Sequence, residues 1–309
     1  MADRPPLLSS RRAATAGLAM TLALCAVTGT ARAASAPVAP VVHRAMTVTA
    51  ADGRKVPLTV YVRGDGCRRC TLVIFSHGAL STPGRYDVLL DAWAAQGLVV
   101  AAPLHTDSEE YPERGRYPDS RATRLADWRA VDAAMRGSPL PGVSLSGRVV
   151  AAGHSYGALI AEIAAGARPL GSLPTGGWRT PVAAIAISPP GTMAGFVDTA
   201  SYAAIARPTL VVTGTADVLP GFVDPWQRHL DSYHAMRPGL GYSAVFAGMD
   251  HNFNGAYCRP GPQGQASMPQ VARLNALVTG FIDMALRGAL PDKRKWLRRS
   301  DAMMSAQAR

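Results

Sequence analysis

The sequence predicts an α/β domain built on a mostly parallel sheet with helices on both faces, and three observations carry that reading. Short, predominantly apolar runs at residues 71–75, 98–102, 148–152, 182–188, 209–213 and 242–246 are rich in Val, Ile, Leu and Ala. Runs of that length without polar alternation are typical of strands buried on both faces. Segments of helical spacing fall between them, and strand–helix alternation over more than 200 residues implies parallel strands with crossover helices. The composition agrees: 48% hydrophobic and 17% charged residues in a 309-residue chain suffice for one large core and argue against disorder.

Along the chain, residues 1–33 read as an export leader. Arg4, Arg11 and Arg12 precede an apolar stretch at 13–27, and Ala31-Arg32-Ala33 offers a cleavage site. The apolar stretch is too short for a comfortable membrane span, and no other span is expected. Ser10-Arg11-Arg12 hints at twin-arginine export. Residues 34–45 form a linker, and residues 46–49 and 56–62 are the arms of an N-terminal β-hairpin turning at Ala51-Asp52-Gly53. The strand at 71–75 runs into Ser76-His77-Gly78-Ala79-Leu80. A helix at 86–96 stops at Gly97, and the strand at 98–102 follows. Residues 103–120 are a long polar loop, of a length more often functional than idle. A helix at 121–135 and a loop at 137–147 lead to the strand at 148–152. The remaining strands at 182–188, 209–213 and 242–246 come next, with a helix at 225–236. A long helix at 268–287 closes the domain at about residue 290 and leaves 291–309 as a basic tail.

Chemistry enters at Gly153-His154-Ser155-Tyr156-Gly157. This G-x-S-x-G lies between an apolar strand and the helical Ala158-Leu159-Ile160-Ala161. A tight turn there lifts a serine hydroxyl above the sheet, with flanking glycines because strand and helix approach too closely for side chains. A serine needs a base to take its proton, and the base needs an acid to orient it. In parallel sheets such partners gather at the carboxyl ends of strands. Of the histidines there, His154 is locked beside the serine, His77 lies on the turn after 71–75, and His105 opens the polar loop. His251, after the strand at 242–246, is the candidate base. Asp217, after the strand at 209–213, is the candidate acid, with Asp250 and Asp224 as rivals. The oxyanion donors expected are the backbone N–H groups of Tyr156, next to the nucleophile, and of Ala79, on the His77–Gly78 turn.

These pieces resemble the α/β-hydrolase superfamily over residues 72 to about 287. The resemblance is to the dienelactone-hydrolase-like and platelet-activating-factor-acetylhydrolase-like branch, near the polyester-hydrolase and cutinase group. Phe75-Ser76-His77-Gly78-Ala79, Gly153–Gly157, Thr213-Gly214-Thr215-Ala216-Asp217 and Asp250-His251 carry it. It implies a serine esterase acting on a small-molecule or lipid-like ester, with no cofactor and no metal. Dienelactone hydrolases proper carry cysteine where this chain has Ser155, which argues against that substrate. The family also allows the acid after the strand at 182–188, but Pro189-Pro190 stands there, so Asp217 is favoured. The loop at 103–120 and the segment 189–202 are expected to wall the substrate pocket. A non-catalytic binding protein on the same fold, or a peptidase or amidase using the same triad, are the alternative readings.

Charge and cysteine usage bound the partners. Removing residues 1–33, which hold four Arg and one Asp, lowers the net charge from +11 to +8. Part of that excess lies in Lys293-Arg294-Lys295-Trp296-Leu297-Arg298-Arg299, read as a solvated helix end; no nucleic-acid signature accompanies it. Cys67, Cys70 and Cys258 remain beyond the leader, and one structural disulfide is expected, its partners left open by the sequence. A second C-x-x-C is missing, which argues against a zinc site at Cys67 and Cys70. Oligomeric state is not legible.

Overall fold

Strand burial in the computed structural model follows the apolar runs. Residues 39–137 and 140–309 are described; the leader at 1–33, the first part of the linker and residues 138–139 lie outside them. An antiparallel hairpin, β1 (Val41–Thr49) and β2 (Lys55–Arg63), opens the sheet. It starts within the expected linker because residues 41–45 pair with 59–63 across the ladder. Next come β3 (Cys67–Ser76), α1 (Asp87–Ala95), β4 (Val99–Pro103), α2 (Ser120–Met135), β5 (Val143–His154) and α3 (Tyr156–Ala164). After them lie β6 (Ala183–Ile187), α4 (Thr199–Ala203), β7 (Thr209–Gly214), α5 (Asp231–Ala235), β8 (Gly241–Phe246), α6 (Met268–Leu286), α7 (Lys293–Leu297) and β9 (Met304–Ala308). The helix expected at 225–236 is split: a 3-10 turn over Trp226–Leu230 precedes the short α5.

The nine strands form one sheet in the order β1-β2-β4-β3-β5-β6-β7-β8-β9. The six strands from β4 across to β8 pair in parallel, and β1, β2 and β9 add antiparallel edges. Alternation along β3 shows how the two cores arise. Leu72 and Ile74 point into a layer with Leu125, Trp128 and Val131 of α2 and Leu159 and Ile160 of α3. Val73 and Phe75 point the other way, onto Leu89, Leu90 and Trp93 of α1 and Leu274, Val278 and Phe281 of α6. The sheet is thus covered on both faces, as a parallel sheet requires.

The segment 291–309 is part of the domain and corrects the expected tail. Asp292 caps α7 by accepting from the Lys295 N–H at 2.8 Å. Trp296 is fully buried against Tyr242 and Phe281, and its indole donates to the Ser243 carbonyl at 3.0 Å. β9 then pairs antiparallel with β8 over five residues and covers what would otherwise be an open sheet edge. The cations of α7 remain exposed around the single buried indole. Cys67 and Cys70 form a disulfide, and Cys258 is a buried free thiol. Among the described residues no helix is long and apolar enough to cross a membrane.

Candidate active site

Ser155 sits at the β5–α3 junction with φ 54° and ψ −121°, a strained conformation for a residue with a side chain. The surrounding sterics enforce it. A Cβ at Gly157 would stand 1.9 Å from the Ser76 carbonyl oxygen, and one at Gly153 would stand 2.2 Å from the Gly157 oxygen. Strand, elbow and helix therefore close only with glycine at both places. The Ser155 N–H donates to the Ile187 carbonyl at 2.8 Å, tying the elbow to the end of β6. Tyr156 is the first residue of α3, where an N–H has no intrahelical acceptor. The Ser155 hydroxyl makes no hydrogen bond with any described residue.

Asp217 and His251 meet at the ends of β7 and β8. His251 Nδ1 donates to Asp217 Oδ1 at 2.7 Å. Thr213 Oγ1 donates to Asp217 Oδ2 at 2.8 Å. The loops carrying the two residues pack closely, since a Cβ at Gly214 would lie 2.0 Å from the Met249 carbonyl oxygen. A residue that sequence reading passed over completes the group. His229 Nε2 lies 2.9 Å from Asp217 Oδ1, while its Nδ1 lies 2.6 Å from the Pro189 carbonyl oxygen. Burial alone would raise the Asp217 carboxyl, but the hydrogen bonds from His229 and His251 outweigh it and hold the group well below the usual carboxylate range. For His251, burial lowers the imidazole from its ordinary 6.5 against the opposing bond to Asp217, and neighbouring His154 and His229 add to the lowering. The rival Asp250 is occupied elsewhere: its Oδ1 accepts the N–H groups of Asn252 and Asn254 at 2.9 and 2.6 Å and shapes the loop. Asp224 is exposed.

His154 acts as a strut. Its Nε2 donates to the His251 carbonyl at 2.8 Å, so Nδ1 is left to accept from the Tyr86 hydroxyl at 2.9 Å. That hydroxyl in turn accepts the Gly78 N–H at 2.9 Å. One chain of hydrogen bonds thereby links the turn after β3, the elbow and the His251 loop. Burial pushes the His154 imidazole down to about 4, consistent with a neutral ring donating from one nitrogen only.

The turn after β3 presents three successive N–H groups. Gly78 is taken by Tyr86, and Leu80 donates to Asp107 Oδ2 at 3.2 Å. The Ala79 N–H, between them, donates to no described residue, and Ala79 is exposed. Of the two segments expected to wall a pocket, 189–202 reaches the first turn of α2 through Phe196, and 103–120 ends beside Tyr156. Its hydroxyl lies 3.2 Å from Ser120 Oγ, and the Arg121 guanidinium lies 5.3 Å from the centre of the Phe196 ring. A cavity of about 530 Å³ lined by Arg54, Lys55, Pro57, Tyr111, Glu113 and Tyr117 opens elsewhere on the 103–120 loop and includes neither Ser155 nor His251. Ligand-type atoms of Asp217, His229 and His251 lie within 4.8 Å of one another, a spacing that their mutual hydrogen bonds already explain.

No family model matches the chain, and no curated protein is similar to it. Solved structures are. A thermophilic esterase from Thermogutta terrifontis, Est2, superposes with a TM-score of 0.57 at 17% identity, covering 81% of this chain and 94% of its own. Other structures of that esterase show it phosphorylated by paraoxon or with propionate bound. A candidate dienelactone hydrolase from Klebsiella pneumoniae gives 0.53 at 16% identity, covering 76% of this chain and 98% of its own. A prolyl endopeptidase gives 0.53 at 14% identity, covering 80% of this chain but 39% of its own. At these identities the likeness is one of fold.

Proposed function

On the α/β-hydrolase fold that this chain adopts, we propose that the protein is an exported serine hydrolase that cleaves carboxylic esters through Ser155, His251 and Asp217. The observation that carries the reading is the 2.7 Å bond from His251 Nδ1 to Asp217 Oδ1, made at neighbouring strand ends in the row where the strained Ser155 also stands. That bond fixes the tautomer with Nδ1 protonated and leaves Nε2 as an acceptor. Ser155 attacks the ester carbonyl as His251 takes its proton. The bond between hydroxyl and base forms as substrate binds, since such contacts tighten in the complex. The oxygen that becomes negative is held by the N–H groups of Ala79 and Tyr156, both without another acceptor among the described residues. Asp217, kept ionised by its donors, stabilises the imidazolium. The proton then passes to the departing alkoxide, and water, activated by the same histidine, releases the acyl group and restores Ser155.

The esterase neighbours support ester over amide chemistry. The prolyl endopeptidase likeness is the observation behind a peptidase reading, but this chain spans 39% of that protein. Ester and anilide substrates with the same acyl group separate the two. Short or medium acyl chains are the proposed substrates, and a panel of p-nitrophenyl esters ranks them. Ser155→Ala abolishes hydrolysis of a short p-nitrophenyl ester while the protein stays folded; activity retained in that variant refutes the proposal. A fluorophosphonate that fails to label the wild type would point instead to a non-catalytic binding protein. Export is tested by sequencing the N-terminus of protein recovered outside the cytoplasm, with cleavage expected near residue 33.

A further inference from the structure

Arg124 lies on the buried face of α2 and is completely inaccessible to solvent. Sequence reading gave it no role beyond helix formation. Its guanidinium forms a two-pronged pair with Asp107: Nε reaches Oδ1 at 2.8 Å and Nη2 reaches Oδ2 at 2.9 Å. Two further hydrogens go to the turn after β3, from Nη1 to the His77 carbonyl at 2.6 Å and from Nη2 to the Gly78 carbonyl at 3.2 Å. The guanidinium carbon also stands 4.5 Å from the centre of the Tyr156 ring. Asp107 returns to the same turn by accepting the Leu80 N–H.

The Gly78 carbonyl and the Ala79 N–H belong to one rigid peptide unit. Its oxygen is gripped by Arg124 and also by His77 Nδ1 at 2.8 Å. The His77 tautomer is fixed, because its Nε2 accepts the His105 N–H at 3.0 Å and Nδ1 must then carry the hydrogen. Two donors on the oxygen end set the direction in which the N–H end points. They also polarise the amide, and each bond in such a chain strengthens the next by roughly 10–30%. On the other side, the same guanidinium lies against the side chain of Tyr156, whose N–H is the second candidate donor.

Resting on the serine-hydrolase reading above, we propose that the Arg124–Asp107 pair is a positioning device for the oxyanion hole, holding the Ala79 peptide and the Tyr156 side of the hole in register. Neither side chain touches substrate. An inaccessible guanidinium is a costly way to fill a core unless it is fully paired, and here its pairing is spent on this turn. Breaking the pair leaves Ser155, His251 and Asp217 in place and lets the Ala79 N–H swing away from the developing charge.

The test compares Arg124→Lys, which keeps the charge but cannot fork, with Asp107→Asn, which keeps the shape at a partly exposed side chain. For each variant, kcat and KM on p-nitrophenyl acetate are measured per active site, the sites being counted with a fluorophosphonate, alongside the urea midpoint. Loss of one oxyanion donor costs about 10²–10³ in kcat, so a displaced donor is expected to cost ~10–100-fold. KM should stay within about threefold of wild type, because the contact matters in the transition state, and phosphonylation should slow in parallel. Variants whose kcat per titrated site is unchanged, with activity falling only with the folded fraction, overturn the proposal. Should Arg124→Lys not fold, Asp107→Asn decides alone. Ser155→Ala runs beside them: hydrolysis that survives it overturns both readings, whereas Ser155-dependent hydrolysis untouched by the clamp variants overturns the clamp alone.

Discussion

Two buried tyrosines stacked 5.7 Å apart offer a controlled comparison between a hydroxyl in the network and one outside it. Tyr86 is fully inaccessible, and its hydroxyl accepts from Gly78 and donates to His154, both at 2.9 Å. Tyr86→Phe keeps the ring and strands both partners, the Gly78 N–H and His154 Nδ1, away from water. Each buried group left unpaired costs about 1–3 kcal/mol, so the variant should lose roughly 2–6 kcal/mol. That is a large part of the 5–15 kcal/mol typical of a folded domain. Tyr257 is equally buried, but its hydroxyl has no partner among the described residues. Tyr257→Phe removes an unpaired hydroxyl at nearly constant shape and should be neutral or stabilising by up to about 2 kcal/mol. Urea unfolding of the three proteins at one pH measures the difference, with equal m-values showing that the same surface unfolds. A Tyr86→Phe midpoint no lower than that of Tyr257→Phe would show that the Gly78–Tyr86–His154 chain does not stabilise the fold as its geometry implies.

Two further expectations rest on charge. His251 must be neutral to act as base, and its imidazole is lowered mainly by burial, so the acid limb of kcat/KM should fall below the ordinary imidazole value of about 6.5. An acid limb above that value would contradict the burial of His251. Glu162, completely buried on α3, has its carboxyl pushed up to about 8, chiefly by burial. A raised carboxyl contributes stability in full below its unfolded value of 4.5 and loses it as pH rises through about 8. Glu162→Gln removes that dependence and should exceed the wild type by on the order of 1–3 kcal/mol at pH 8.5. Unfolding free energies of both proteins between pH 5 and 8.5 check it, and parallel curves would refute it.

The buried strands and the pairing of His251 with Asp217 were legible because both rest on local signals. Continuous apolar runs mark buried strands, and the rule that functional groups gather at their carboxyl ends narrows seven histidines to four. The same rule led to Asp217, and the structure then showed why Asp250 is unsuited: it folds back on its own loop. Illegible elements carried only short, weak signals of their own. β9 reads Met304-Ser305-Ala306-Gln307-Ala308, where small apolar residues alternate with polar ones, and only pairing with β8 makes it a strand. α7 offers one buried residue, Trp296, in a run of cations, and a helix with so narrow a stripe looks like a solvated end.

The buried polar network was hidden for a different reason. Arg124 and Asp127, three residues apart on the inner side of α2, break its apolar stripe, and a sequence pattern scores each as a polar residue out of place. What the pattern does not supply is the partner. Asp127 pairs with Arg54 from the β1–β2 turn and with His105 after β4; Arg124 pairs with Asp107 and the turn after β3. These groups come from separate parts of the chain and become neighbours only once the sheet has formed. Such charges are costly to bury singly and tolerable together, so each is explained only by the others. An inward-facing Arg and Asp at i and i+3 on an otherwise amphipathic helix is thus a sequence-level flag for a buried network. Here the network lies under the turn that carries Ala79, and that placement ties α2, far from Ser155 in sequence, to the chemistry proposed for it.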